Sequence, residues 1–251
     1  MQPVPVILYH SVLEPGEAVG RYVVSPAALE GDLRCLAERG CRAVVVRDLL
    51  AYVYSGVPLP EKPVVLTFDD GFRNNLRYAL PLMRRYGMRM VLSPVGRDCD
   101  RAAASRRDAP FACADWSELG EAVQSGFVEL QNHSYALHRR TEERCGARRA
   151  PGESLAQYRE MLMQDLGRMQ RRLRMHTGEE AAAFVYPFGA VSEESTAILQ
   201  EMGFRAALTC EEKVNLIVPG KPERLYSLGR FLRTGEERTE DFFRRVFPQE
   251  E

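Results

Sequence analysis

Two adjacent carboxylates, Asp69 and Asp70, close the run "PVVLTFDDG". Like charges at a partly desolvated strand end raise each other's pKa, so such a pair calls for a cation between or beside them. An isolated DDG also reads as a turn with an Asp helix cap. Here the preceding residues are strand-forming, which puts both carboxylates at a C-terminal strand end, where α/β proteins carry their sites. Further on, "ELQNHSYALH" holds His133 and His138, two of the chain's four histidines. Five residues of separation place side chains ~140° apart on a helix and on opposite faces of a strand, so only a loop leaving a strand lets both imidazoles meet one ion. One carboxylate and two imidazoles form a facial set with open positions; Zn²⁺ is the first expectation, and Fe²⁺ or Co²⁺ suits the same ligands. Such an ion lowers the pKa of water toward neutrality and polarises a carbonyl, as amide or ester hydrolysis requires.

A third candidate is "AFVYPFG", residues 183–189. Pro187 has no N–H, so the backbone N–H of Phe188 is the oxyanion donor this turn can offer. Tyr186 and Pro187 are candidate walls for a sugar ring, with core packing as the alternative. Trp116 in "ADWSEL" is a third candidate for substrate contact, although an aromatic at a helix start also packs inward. His10, in "VILYHSV", reads on its own as a strand-end histidine.

These residues need elements to place them. Apolar runs in "VPVILYH", "RAVVV", "PVVLTF", "MRMVLSPV", "FVELQNH", "AAFVYPF" and "RAALTC" alternate with helical patterns, which predicts parallel strands joined by helices. The runs are continuous rather than alternating, as expected of strands buried on both faces. "SPAALEGDLRCLAERG" opens with a Ser cap and a first-turn Pro and ends in Gly, predicting a helix. A longer helix is predicted from Ser154 to about His176, with a Ser154/Gln157 capping box and an apolar stripe at Leu155, Tyr158, Leu162, Leu166, Met169 and Leu173. The segment from Gly96 to Ala114 shows no periodicity and is expected to be a long loop near the site.

Bulk properties narrow the partners. With 34 Lys and Arg against 35 Asp and Glu in 251 residues, the net charge is −1, which gives no reason to expect nucleic acid as a partner. The Arg-rich stretches "HRRTEERCGARR" and "RMQRRLRM" read as solvated faces. Six cysteines lack metal-site spacing and read as free thiols. No stretch is long and apolar enough to span a bilayer, and the first residues lack the pattern of a signal peptide. A cytoplasmic location is the default expectation, with export not excluded. Neither repeats nor a linker interrupts the chain, so residues 1–251 are expected to form one domain.

With "LTFDDG", "NHSYALH" and "YPFG" in this order, the chain resembles the polysaccharide deacetylases, the NodB homology domain of carbohydrate esterase family 4. The likeness extends from "VILYHSV" to "YPFGAVSEESTAILQEMGFRAALT". It implies a distorted (β/α)7-type barrel and metal-dependent removal of acetyl groups from a sugar polymer or peptidoglycan, a hydrolysis of linear amides. It implies Asp69 as general base and Asp70, His133 and His138 as metal ligands. The five-residue histidine spacing is similar to the branch acting on poly-N-acetylglucosamine. Two departures stand out. Val185 stands where many members carry an Arg that holds the base aspartate, leaving Arg230 in "SLGRF" as a candidate for that task. The tail "LYSLGRFLRTG" lacks the Leu-x-His acid histidine, and in the permuted exopolysaccharide branch the acid lies on the first strand, which His10 matches.

Three functions follow for comparison: a deacetylase acting on an acetylated glycan, a metal-dependent amidase or esterase acting on a small acylated molecule, and a carbohydrate-binding module that has lost catalysis. The missing Arg favours the last; the full set of ligands, base and acid disfavours it.

Overall fold

The computed structural model describes residues 1–14, 16, 20–105 and 109–248. In chain order come β1 (Gln2–Val4), β2 (Val6–Tyr9), β3 (Ser11–Val12), β4 (Val23–Val24), α1 (Pro26–Glu38), β5 (Arg42–Val44), α2 (Val46–Ser55) and β6 (Pro63–Asp70). A π-helical turn at Asn75–Ala79 leads into α3 (Leu80–Arg85), followed by β7 (Met90–Pro94), α4 (Gly96–Ser105), α5 (Trp116–Gln124) and β8 (Val128–Leu130). Then follow α6 (Leu155–Thr177), β9 (Ala183–Val185), α7 (Ser195–Glu201), β10 (Ala206–Leu208), β11 (Asn215–Ile217), β12 (Phe231–Leu232) and α8 (Thr239–Val246).

Parallel pairing runs β12-β2-β6-β7-β8, with β5 on the start of β6. A parallel bridge between Asn132 and Phe184 carries the order from β8 to β9; β9 pairs with β10, and a bridge between Leu208 and Leu228 returns it toward β12. Seven strands, β2, β6, β7, β8, β9, β10 and β12, therefore follow one another around a distorted parallel barrel. The strand ends that carry the polar motifs gather at one mouth, as parallel α/β sheets require.

Two apolar clusters follow the pleat. Val6, Val65, Val91, Val185 and Leu208 belong to one, with α2 residues Leu49, Leu50 and Val53. Ile7, Tyr9, Leu66, Phe68 and Leu92 belong to the other, with α1, α5 and α6. Alternate residues of a strand face opposite sides, so each strand supplies both layers and reads as a continuous apolar run.

The predicted caps form. Ser25 accepts from the N–H of Ala28 at the start of α1, and Ser154 and Gln157 bond reciprocally at the start of α6. Buried Tyr158, Leu162, Leu166, Met169 and Leu173 make up most of the predicted stripe of α6; Leu155 is exposed.

The segment expected to be a loop from Gly96 to Ala114 is instead helical over Gly96–Ser105. Only Gly96 and Cys99 of this helix are buried, so no apolar stripe marked it in the sequence. It is held at its first turn, where the N–H groups of Gly96 and Arg97 donate to the carbonyls of Ser134 (3.1 Å) and Tyr135 (2.8 Å). Asp98 in the first turn and the strong helix formers Ala102 to Ala104 support it. Among the described residues, no helix is long and apolar enough to cross a membrane.

Candidate metal centre and active site

Alternation along β6 places Val65, Thr67 and Asp69 on one face and would send Asp70 to the other. The backbone prevents this. Asp70 and Gly71 both take left-handed conformations, φ 69° and 74°, and a Cβ on Gly71 would lie 2.6 Å from Cβ of Pro94. Only glycine fits there, and the turn brings both carboxylates to one mouth.

His133 and His138 leave β8 in a loop whose Ser134 is also left-handed, φ 71°. The Nδ1 of His133 lies 2.8 Å from the carbonyl of Val185, an acceptor only, so Nδ1 carries the proton and the lone pair sits on Nε2. That Nε2 is 3.6 Å from Oδ1 of Asp70, and Nε2 of His138 is 3.2 Å from the same oxygen. One donor atom from each of the three residues lies within 4.8 Å of the others. Asp70 Oδ1 is buried and receives no hydrogen bond among the described residues. A buried anionic oxygen beside the His133 lone pair and the His138 imidazole fits a divalent cation, whose bonds would replace the missing donors.

Burial pushes His133 down to about 3, so its ring is neutral and able to ligate. Burial, with Asp69 adding to it and His10 opposing, pushes Asp70 up to about 6. Burial would also raise Asp69, but the Arg230 guanidinium and neighbouring imidazoles hold it at about 2.

Arg230 answers the question left by Val185. Its Nη1 donates to Asp69 Oδ1 at 2.8 Å and its Nε to the carbonyl of Thr209 at 2.8 Å, with both side chains fully buried. His10 follows β2 at the same mouth, its ring 4.8 Å from that of Tyr22, and burial lowers its pKa against the pull of Asp69 and Asp70. The segment carrying it is pinned: Asn75 donates to the carbonyl of His10 (2.7 Å), and Asn74 donates to Oγ of Ser11 (2.7 Å). Both asparagines lie at the π-helical turn, a distortion frequent near functional sites.

Phe188 takes a left-handed conformation, φ 60°, in the turn Pro187–Gly189. Its ring lies 4.4 Å from that of His138 and 4.6 Å beneath the guanidinium carbon of Arg140. A cleft of about 840 Å³ connects His10, Asp69, Asp70, His133, His138 and Phe188, with the exposed rings of Tyr22 and Phe111 at its rim.

Three expected substrate contacts do not reach this cleft. Trp116 is in the core, its Nε1 donating to Asp100 at 2.7 Å and its ring stacked on the exposed His176. Tyr186 is buried, its hydroxyl 2.7 Å from Oγ of Ser195, and Pro187 is buried beneath the turn. The indole N–H and the phenol each find an inward partner, which lets both rings bury. Tyr22, Phe72 and Phe111 line the cleft instead. They lie in irregular segments or an isolated bridge, where no periodicity pointed to them.

Residues 56–207, more than half of the chain, match the family described as polysaccharide deacetylase. The chain belongs to the polysaccharide deacetylase family. Over 225 residues it is 27% identical to the poly-β-1,6-N-acetyl-D-glucosamine N-deacetylase of Escherichia coli strain K12, a match covering 82% of this chain and 33% of that protein. The chain thus spans about one third of that relative's length. Among solved structures, IcaB from Ammonifex degensii superposes with a TM-score of 0.76 at 26% identity, covering 94% of each chain. A de-N-acetylase from Aggregatibacter actinomycetemcomitans shares the fold, with a TM-score of 0.84 at 24% identity over 97% of this chain and 100% of the other. The barrel is thus the fold of these structural neighbours.

Proposed function

We propose that residues 1–251 act as one catalytic domain that hydrolyses the N-acetyl groups of an N-acetylated sugar polymer, with poly-β-1,6-linked N-acetylglucosamine as the first candidate. The observation that carries this reading is the convergence of Asp70, His133 and His138 within 4.8 Å, beside a buried aspartate held by Arg230. Those three residues would hold a divalent ion, Zn²⁺ before Fe²⁺ or Co²⁺. When bound, such an ion supplies Lewis acidity to the acyl oxygen and makes water acidic near neutral pH.

The protein's own groups supply the rest. Asp69, ionised at neutral pH, accepts the proton of the attacking water. Arg230 fixes the orientation of that carboxylate and keeps it anionic. Phe188 N–H donates to the oxygen that becomes negative as the carbonyl carbon turns tetrahedral. His10 donates a proton to the departing nitrogen, without which an amine leaves poorly. The aromatic rim at Tyr22 and Phe111 offers flat apolar faces suited to sugar rings.

The presence of Arg230 beside Asp69 removes the main reason to favour a module without catalysis. The test is metal content of the purified protein together with acetate release from N-acetylglucosamine oligomers, peptidoglycan fragments and small acetylated amines. Release from oligomers by a metal-containing protein is expected. Bound metal with no release from any acyl substrate would instead make the domain a binding module, and release from small amines alone would make it an amidase. In His10→Ala the metal should remain and turnover should fall, more on amides than on esters with good leaving groups.

A further inference from the structure

The two imidazoles of the candidate centre are separated by the spacer Ser134 to Leu137, and the path of this spacer decides whether His138 could share an ion with His133. Its backbone is held from two sides. On one, the carbonyls of Ser134 and Tyr135 accept from the first N–H groups of α4. Gly96 lies so close there that a Cβ would sit 2.8 Å from the Tyr135 ring and 2.7 Å from Sδ of Met169.

On the other side stands Asp165, in the middle of α6. Its Oδ1 accepts from the N–H of Tyr135 at 2.7 Å and its Oδ2 from the N–H of Ala136 at 2.9 Å. Two successive N–H groups after a left-handed residue form a concavity that suits an anion, and here both carboxylate oxygens fill it. The same helix adds grip: the carbonyl of Leu166 accepts from Asn132 at 3.1 Å, and the guanidinium of Arg168 stacks 3.7 Å from the centre of the Tyr135 ring.

We infer that Asp165 is a positioning residue for the metal centre, holding the spacer so that His133 and His138 present their Nε2 atoms to one ion. The inference rests on the metal-site reading above. An amide at this position cannot replace the carboxylate, because one of its two terminal atoms is itself a donor facing an N–H. The spacer then shifts, and the alignment of two ligands is lost while α6 keeps its buried stripe. Loss of a group that orients ligands from behind weakens metal binding by about 10–100-fold.

The experiment measures Zn²⁺ affinity by chelator competition, and the thermal stability of the metal-free protein, for wild type, Asp165→Asn and Asp165→Glu. Asp165→Asn should bind Zn²⁺ about 10–100-fold more weakly, with deacetylation recovering as Zn²⁺ is raised, and Asp165→Glu should retain more of the affinity. Asp32→Asn, altering a buried carboxylate away from the cleft, is the control for a loss of stability alone and should leave Zn²⁺ affinity unchanged. Unchanged Zn²⁺ affinity in Asp165→Asn overturns the inference, as does a loss in affinity matched by Asp32→Asn at equal loss of stability. A wild-type protein that binds no Zn²⁺, Fe²⁺ or Co²⁺ would count against the metal site itself.

Discussion

Two buried aspartate–arginine pairs in this fold differ in how fully their carboxylates are bonded. Arg233 binds Asp32 of α1 through two contacts, 2.8 and 3.2 Å, and Tyr9 and Thr239 also donate to that carboxylate, at 3.1 and 2.7 Å. Every oxygen of Asp32 is occupied, and the cluster ties α1, β2 and the start of α8 together. Arg230, three residues earlier, gives Asp69 a single contact on Oδ1. Asp69 Oδ2 takes no hydrogen bond among the described residues and lies 3.9 Å from Nε2 of His133. A saturated buried carboxylate can only hold the fold together, whereas one held by a single oxygen keeps lone pairs for a proton.

Substituting each aspartate should separate the two roles. Asp69→Asn keeps an oxygen for Arg230 but removes the proposed base, so acetate release should fall by about 10²–10⁴-fold with metal content unchanged. Full activity in this variant would erase the contrast. Asp32→Ala strands a buried guanidinium, and urea unfolding should show a loss of about 3–5 kcal/mol with turnover of the folded protein within about twofold of wild type.

Acid sharpens the comparison further. The folded pKa of Asp69, about 2, lies below the unfolded value of about 3.9. Its ionised form therefore stabilises the metal-free fold by about 2–3 kcal/mol above the unfolded pKa, and this is lost as pH falls through about 2. Urea unfolding of wild type and Asp69→Asn from pH 7 down to 2 should show the wild type losing this increment and the variant not. A last test concerns Asp70, raised to about 6: below that pH a proton would compete with an ion at the proposed site, and apparent Zn²⁺ affinity should fall about tenfold per pH unit. Affinity that stays flat between pH 6 and 4 would remove Asp70 from the ligand set.

Features carried by neighbours in the chain were legible in the sequence. The caps of α1 and α6, the apolar stripe and the continuous strand runs follow from local spacing, and "FDDG" with "NHSYALH" marked the polar strand ends. The need for a cation beside Asp69 was also readable, because two adjacent buried carboxylates demand one. Arg230 was already a candidate for that task, but its pairing with Asp69 is a matter of tertiary geometry, since donor and acceptor lie 161 positions apart and meet only when β12 closes against β2. The same holds for Asp165, whose carboxylate meets the N–H groups of Tyr135 and Ala136, some 30 positions earlier, only in the folded chain. Trp116 and Tyr186 went the other way, because a nearby Asp100 or Ser195 made burial favourable for rings that exposure would have turned to the cleft. Helix α4 escaped notice because its stability comes from a loop about 40 residues further along the chain, whose carbonyls satisfy its first N–H groups. Periodicity and capping act over a few residues and so are written in the sequence directly. The second oxygen of Asp69, the reach of His138 and the walls of the cleft depend on which distant groups the barrel brings within hydrogen-bond distance, and only the closed fold decides that.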